Sequence, residues 1–168
     1  MIRLAQTRRF RARWTDAIQR EWMTALLRNR PELDEAKLSR TMVLMNQAVP
    51  DCLITGYEHL IDQLLLPDPN DRHVLAAAIC GGAQAIVTTN IKDFPERTLA
   101  EFEILPRHPD DFILDLADLE PAVVTTAAKL QRAALKHPII SPEAFISILR
   151  QQGLPGVAAF LQSQIELI

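Results

Sequence analysis

Residues 71–94 have the sequence DRHVLAAAICGGAQAIVTTNIKDF, in which an apolar segment and a short apolar run are both followed by turn-forming residues. The residues three, four, seven and eight positions after Asp71 are apolar, which is the spacing of one helix face. Two glycines, at positions 81 and 82, predict the end of that helix. The unbroken apolar run from Ala85 to Thr88 predicts a strand buried on both faces in a parallel sheet. The stretch therefore predicts one unit of an alternating α/β domain.

Two acids mark the start of this helix. Asp68 occupies the N-cap position, Pro69 the first helical position and Asp71 the third. Helix capping explains Asp68 well. Asp71 lies on the apolar stripe, so it is the better candidate ligand, although a favourable position near the helix N-terminus also explains it.

Asn90 and Asp93 follow the predicted strand. The region just beyond the carboxyl end of a strand is where open α/β sheets place their sites. The alternative is that both residues only form a turn, since Asn and Asp are common turn residues.

Glu21 is a further acid at a helical position. Thr15 predicts the cap of a helix to about Arg28, and Glu21 lies three residues after Ile18 and four before Ala25, on the apolar stripe. No basic residue stands three or four positions away. The sequence leaves two compensating partners open, a distant arginine or a metal ion.

The three acids together predict a cation site. Glu21, Asp71 and Asp93 come from two helices and a strand-end loop, and we expect their side chains to converge near one sheet edge. Carboxylate oxygens are the ligands that Mg²⁺ and Mn²⁺ prefer. Two carboxylates about 5 Å apart repel each other by about 3 kcal/mol at an effective dielectric constant of 20, and a divalent cation removes that cost.

The rest of the chain divides into two parts. Strands are predicted at residues 10–14, 51–55 and 102–105, and helices at 34–48 and 57–66. After Leu119 only helices are predicted, one of them starting at Ser141. We expect a domain at 1–118 and a helical extension at 119–168.

Charge is distributed unevenly along the 168 residues, whose net charge is -3. Residues 1–30 hold eight arginines and two acids, a charge of +6, whereas residues 31–120 hold six basic and seventeen acidic side chains, a charge of -11. The first part is suited to an anionic partner, although solvated arginines are the alternative. Two cysteines, no membrane-length apolar segment and no signal peptide predict a cytoplasmic protein without a membrane partner.

Several motifs resemble the second half of a PIN domain, the metal-dependent ribonuclease fold of VapC-type toxins in bacterial toxin–antitoxin modules. They are Asp71-x-x-Val-Leu-Ala-Ala-Ala, Ala85-Ile-Val-Thr-Thr-Asn and Asn90-x-x-Asp-Phe-Pro, and residues 14–22 are similar to the segment with the family's helical glutamate. The resemblance implies a PIN-like three-layer α/β/α fold with a short parallel sheet plus a C-terminal helical extension. It implies Mg²⁺ (or Mn²⁺) held by Glu21, Asp71 and Asp93, with Asn90 beside them as a catalytic residue. An RNA substrate and a cognate antitoxin are the implied partners.

The chain departs from the family's pattern at its first residues. The family begins with a strand bearing an aspartate, and no residue here matches that strand, which would be central in the sheet. Open strand edges, together with apolar tail residues such as Phe145 and Phe160, favour a homodimer or association with another chain.

Two functions follow from these observations. The first is a Mg²⁺-dependent endoribonuclease toxin of a type II toxin–antitoxin module, impaired where the first aspartate is lacking. The second is a catalytically inactive PIN-derived module that binds RNA or protein. A phosphatase-like hydrolase of the haloacid dehalogenase type requires an Asp-x-Asp pair that the sequence lacks.

Overall fold

The structure is a computed structural model that describes all of residues 1–168. Nine α-helices and two β-strands alternate with short 3₁₀ turns. The helices are α1 (Ile2–Ala5), α2 (Asp16–Asn29), α3 (Glu35–Ala48), α4 (Arg72–Cys80), α5 (Glu96–Ala100), α6 (Pro109–Leu119), α7 (Pro121–Ala133), α8 (Pro142–Gln151) and α9 (Pro155–Ser163). The strands are β1 (Ala85–Val87) and β2 (Leu105–Arg107), and the 3₁₀ turns are Glu58–Gln63, Pro69–Asp71, Ile91–Asp93 and Ile165–Leu167.

The sheet is short and parallel. β1 pairs with β2 in a register that places Ala85 opposite Leu105. The Leu105 amide donates to the Gln84 carbonyl at 3.0 Å, and the Thr88 amide donates to the Arg107 carbonyl at 2.9 Å. Alternate residues of a strand face opposite edges, so Ala85 and Val87 direct their backbone groups to an edge where no further strand pairs. The predicted α/β class with a short parallel sheet is confirmed, and the outer edges of both strands are unpaired.

Two of the predicted strands are wrong for most of their length. Within 10–14 and 51–55, only Trp14 and Leu53 pair, as one isolated parallel bridge. Asp51 has a left-handed backbone with φ 56°, so an extended segment cannot begin there. The strand predicted at 102–105 begins only at Leu105, because residues before it form a turn in which Glu103 has φ 58°.

The helix starts are better predicted. The Thr15 hydroxyl accepts a hydrogen bond from the Ile18 amide at 3.1 Å, and α2 begins directly after it. Asp68 caps the next predicted start, where its Oδ1 accepts from the Asn70 amide at 2.9 Å. The first turn after this cap is a 3₁₀ turn and α4 follows it. The helix predicted at 57–66 is only a 3₁₀ turn at Glu58–Gln63.

Apolar side chains form two main cores. One is formed by residues 54–104, which include α4 and β1. Its buried members are Ile54, Tyr57, Leu64, Leu66, Leu75, Ala76, Ala77, Ala78, Ile86, Phe94, Leu99 and Ile104. The other joins α1 to the helices after residue 108; its buried members are Leu4, Ile113, Leu116, Ala117, Val124, Ala127, Phe145, Ile146, Val157, Ala158, Leu161 and Ile168. Phe145 is therefore packed inside the helical extension, and it does not offer the association surface expected from the sequence.

A buried carboxylate joins α6 to the last helices. Asp110 is 7% exposed, and its two oxygens accept hydrogen bonds from the Gly156 and Val157 amides, each at 2.8 Å. These amides belong to the first turn of α9, where a negative charge is favourable. Because α6 packs against α7 and α9, it belongs to the same core as the helices that follow it. The division of the chain at residue 118 stays a prediction.

No helix of the protein has both the length and the apolar character needed to cross a membrane.

Replacing Asp110 by Ala should destabilise the protein by about 3 kcal/mol. The substitution leaves the Gly156 and Val157 amides without acceptors and removes a charge at the start of α9. Denaturant unfolding measures the loss, and Asp111→Asn, an exposed acid one residue away, is the control. An equal effect of both substitutions would contradict the capping role.

Candidate metal centre

Three aspartates form a compact cluster at the carboxyl end of β1. Asp68, Asp71 and Asp93 each offer one carboxylate oxygen, and these oxygens lie within 4.8 Å of one another. All three side chains are half-buried. The predicted convergence of Asp71 with Asp93 is therefore present in the structure.

Asp68 also belongs to the cluster, although the sequence points to it only as a helix cap. The predicted capping is present, since its Oδ1 accepts a hydrogen bond from the Asn70 amide. A carboxylate has two oxygens with several acceptor sites, so capping and cluster membership are compatible. The three-residue spacing between Asp68 and Asp71, which fits one 3₁₀ turn, was the available signal.

Asn90 contacts the cluster through Asp93. The Asn90 side-chain amide donates a hydrogen bond to the Asp93 Oδ2. The Asn90 backbone amide in turn donates to the Thr88 hydroxyl at 3.0 Å. These bonds tie the turn after β1 to the last residue of the strand run, and they fix the position of the Asp93 carboxylate.

Glu21 differs from its prediction. Its side chain is 57% exposed, and its Oε1 lies 2.9 Å from the Nε2 of His73, which is only 13% exposed. The expectation of a buried acid compensated by an arginine or a metal was wrong about burial and did not include this histidine. Gln19 is the only fully buried residue of α2, so the apolar stripe is only half covered and an acid on it reaches solvent.

His73 is the second residue of the site that the sequence argument missed. It lies in the first turn of α4, two residues after Asp71. Both ring nitrogens are buried, and neither makes a well-aligned hydrogen bond, although Nε2 is at ion-pair distance from Glu21. A histidine in an otherwise apolar helix beside an acid was the available signal.

Electrostatic repulsion acts on Asp71. Burial raises the pKa of its carboxyl above the ordinary value of 3.8, and the charges of Asp68, Asp93 and Glu21 raise it further, while His73 lowers it. Glu21 therefore lies close enough to add negative charge, although it is outside the group of three. The site concentrates four carboxylates and no lysine or arginine forms an ion pair with any of them.

The donor set fits a hard divalent cation. All close donors are carboxylate oxygens, two from the turn at Asp68–Asp71 and one from the turn after β1, and they carry excess negative charge that a cation would neutralise. A site for zinc or copper would instead present histidine nitrogens or thiolates among the close donors.

Comparisons with known proteins show which family the chain resembles. Residues 1–92 match the family model described as "PIN domain", and residues 109–163 match the model described as "VapC50 C-terminal domain". The chain is 36% identical over 115 residues to a Mycobacterium tuberculosis protein named "Putative ribonuclease VapC50", a match that covers 67% of this chain and 68% of the relative. No solved structure matches the chain closely enough to support a relationship.

The PIN model covers more than half of the chain and includes β1, α4 and two of the three clustered aspartates. The similarity to the relative extends over two thirds of both proteins. The chain therefore belongs to the PIN-domain family, with a C-terminal segment of the VapC50 type.

Proposed function

We propose that this protein is a metal-dependent endoribonuclease toxin of a type II toxin–antitoxin module. The observation that carries the proposal is the cluster of Asp68, Asp71 and Asp93 in a chain of the PIN family. Similarity to a protein named as a VapC-type ribonuclease supports RNA as the substrate and an antitoxin protein as the partner.

Mg²⁺ or Mn²⁺ is the proposed cofactor. Asp71 and Asp93 would hold it together with Asp68, and Glu21 stays a proposed ligand at the margin of the cluster. A bound cation of this kind supplies an activated water and stabilises negative charge on a phosphate. The chain's own contribution is to hold the carboxylates in place while they repel each other.

Asn90 and His73 position the acids in this proposal. Asn90 holds Asp93 through its side-chain amide, and His73 contacts Glu21. Because the Asn90 amide already contacts Asp93, we assign it a positioning role, in place of direct contact with the substrate.

The alternative is a PIN-derived module that binds RNA or protein without cleaving RNA. It is favoured by the excess of arginines in residues 1–30, which suits an anionic partner without requiring cleavage. The four acids around Asp71 favour the enzyme. We retain cleavage as the main proposal because an unneutralised acid cluster has no evident use in a protein that only binds RNA.

Association with a second copy or another chain is also proposed. The outer edge of β1 is open, and α3 has no buried residue although it carries Val43 and Leu44, which are 54% and 53% exposed. Exposed apolar residues on a helix and open strand edges are common docking surfaces. Within each copy, we propose a PIN-like domain at 1–118 and a helical extension at 119–168.

Mg²⁺ or Mn²⁺ should raise the melting temperature of the protein in a concentration-dependent way, because the cation binds the folded cluster and not the unfolded chain. Asp71→Asn and Asp93→Asn should remove most of this rise. Asp118→Asn, an exposed acid outside the cluster, is the control and should respond like the wild type.

In the metal-free protein, the negative charge of Asp71 lowers the stability of the fold. Because its folded-state pKa is raised, the charged form destabilises the fold, and this loss develops as pH rises through that pKa. Asp71→Asn should therefore stabilise the metal-free protein at pH 7 by up to about 1 kcal/mol, since solvent screens much of the repulsion. The gain should vanish below the ordinary pKa of 3.8. A destabilised metal-free variant at pH 7 would show that the acids do not repel each other there.

Purified protein should cleave single-stranded RNA in Mg²⁺, and Asp71→Asn or Asp93→Asn should reduce the rate at least about 100-fold, as expected for loss of an electrostatic contribution in the transition state. Asp118→Asn should leave the rate unchanged. Gel analysis of labelled RNA with and without EDTA measures both. A folded protein that binds RNA and never cleaves it would support the inactive module.

Light scattering should show a mass above the 18.9 kDa of one chain at micromolar concentration. The double substitution Val43→Lys and Leu44→Lys should lower that mass if α3 is the contact. A folded monomer in the wild type would refute self-association and leave only a different partner chain for the open surfaces.

A further inference from the structure

A short basic segment precedes Trp14 on the surface of the protein. Residues 8–13 have the sequence RRFRAR, in which four of the six residues are arginines and all four are exposed. The apolar residues Phe10 and Ala12 are half-buried and pack against the cores. Burial therefore alternates from residue 9 to residue 13, as in an extended chain with one side facing solvent. We call residues 8–13 the arginine segment.

Contacts fix both ends of the arginine segment. Near its start, the Arg9 Nη2 lies 2.8 Å from the Glu120 Oε2. At its end, the Arg13 Nη1 donates a hydrogen bond to the Gly81 carbonyl at 3.0 Å. The segment is thus held in place before a ligand binds, which reduces the entropy that binding costs.

Arg8 and Arg11 have no carboxylate partner. The arginines that form ion pairs in the protein are Arg9, Arg30 and Arg107. Arg8 and Arg11 are both exposed, and their guanidinium groups face solvent without compensation. Four arginines within six residues create a positive potential that attracts anions.

The arginine segment lies away from the candidate metal centre. Arg13 contacts Gly81 at the C-terminal end of α4, whereas Asp71 immediately precedes the first residue of that helix. Ten residues of helical chain separate Asp71 from Gly81 by about 15 Å. The segment is therefore a separate surface, and it supplies no ligand to the acid cluster.

We propose that the arginine segment is a second RNA-binding surface, which holds the phosphate backbone of a long RNA at a distance from the acid cluster. Arg9, Arg11 and Arg13 recur at every second residue, which is about 6.6 Å in an extended chain. This spacing is close to two steps of about 3.4 Å between the nucleotides of a stacked strand. Guanidinium groups also fit the geometry of phosphate oxygens. The inference rests on the proposed function, because RNA is the anion that it names.

An acidic protein is the competing occupant, and the composition of the segment disfavours it. A protein interface has a desolvated centre from which charged groups are depleted. The solvent side of the arginine segment presents guanidinium groups, because Phe10 and Ala12 pack inward. Charge and the release of counterions are sufficient to bind a phosphate backbone.

Arg8→Gln, Arg11→Gln and the double variant test the surface, because neither arginine has a partner whose loss would disturb the fold. Fluorescence anisotropy in EDTA, with a labelled single-stranded RNA of about 20 nucleotides, gives the affinity as a function of salt. Polyglutamate is the probe for an acidic protein. Arg150→Gln is the matched control, because Arg150 is also exposed and unpaired but lies on α8. Circular dichroism verifies that each variant is folded.

Each substitution in the segment should weaken RNA binding about two- to fivefold. Each should also lower the slope of log affinity against log salt by about 0.7, the value for one lost contact with a single-strand phosphate. Arg150→Gln should change neither quantity. In Mg²⁺, the double variant should raise the KM for the same RNA and leave kcat unchanged, because the segment contributes binding at a distance from the cluster.

The proposal is overturned if Arg8→Gln and Arg11→Gln bind RNA like the wild type, or if Arg150→Gln binds as weakly as they do. It is also overturned if the two variants lose affinity for polyglutamate and keep their affinity for RNA, since the occupant would then be an acidic protein. A protein that never cleaves RNA but loses affinity for it in both variants would retain this surface and refute only the enzymatic function.

Discussion

The structure depends on holding three carboxylates together against their mutual repulsion. Asp68, Asp71 and Asp93 lie within 4.8 Å through one oxygen each, and no lysine or arginine neutralises them. The fold supplies the restraint locally. Asp68 and Asp71 are fixed by a 3₁₀ turn whose start is capped by Asp68 itself, and Asp93 is fixed by Asn90 in the turn after β1. Behind them the core residues Leu75 and Ile86 lock α4 and β1 to each other. If the cluster binds a cation as proposed, this restraint holds the carboxylates in place before the cation arrives.

The sequence predicted the helices well because their start signals are local. Thr15, Asp68 and Ser141 each accept a hydrogen bond from the amide two or three residues later, so the cap needs no distant contact. Strands were predicted poorly because a strand exists only where a partner pairs with it. Residues 10–13 alternate correctly but have no partner, and the pairing is confined to Trp14 and Leu53. The left-handed backbone at Asp51 also gave no clear signal in the sequence.

The sequence predicted only part of the site, because local signals place only some of its residues. Asp71 and Asp93 lie at the ends of well-predicted elements, so their convergence followed from the α/β topology. The N-cap position accounts for Asp68 in the sequence, and its place in the cluster depends on where the fold brings Asp93. The exposure of Glu21 depends on how loosely α2 packs, which is a tertiary property that helical periodicity does not report. The role of His73 depends on its contact with Glu21 on α2, which is a tertiary contact that the sequence does not report.

Charges of opposite sign lie close together near the acid cluster. Arg20 and Arg28 stand on the same helix as Glu21, whose charge acts on Asp71. If the cluster binds a cation and RNA is the substrate, as proposed, the cation would remove the repulsion between the carboxylates and a phosphate, so the metal would raise the affinity for RNA. Thermodynamic linkage then requires RNA to raise the affinity for the metal by the same factor. In the proposed enzyme, the negative charge of Asp68, Asp71 and Asp93 would therefore keep RNA away from the metal-free site.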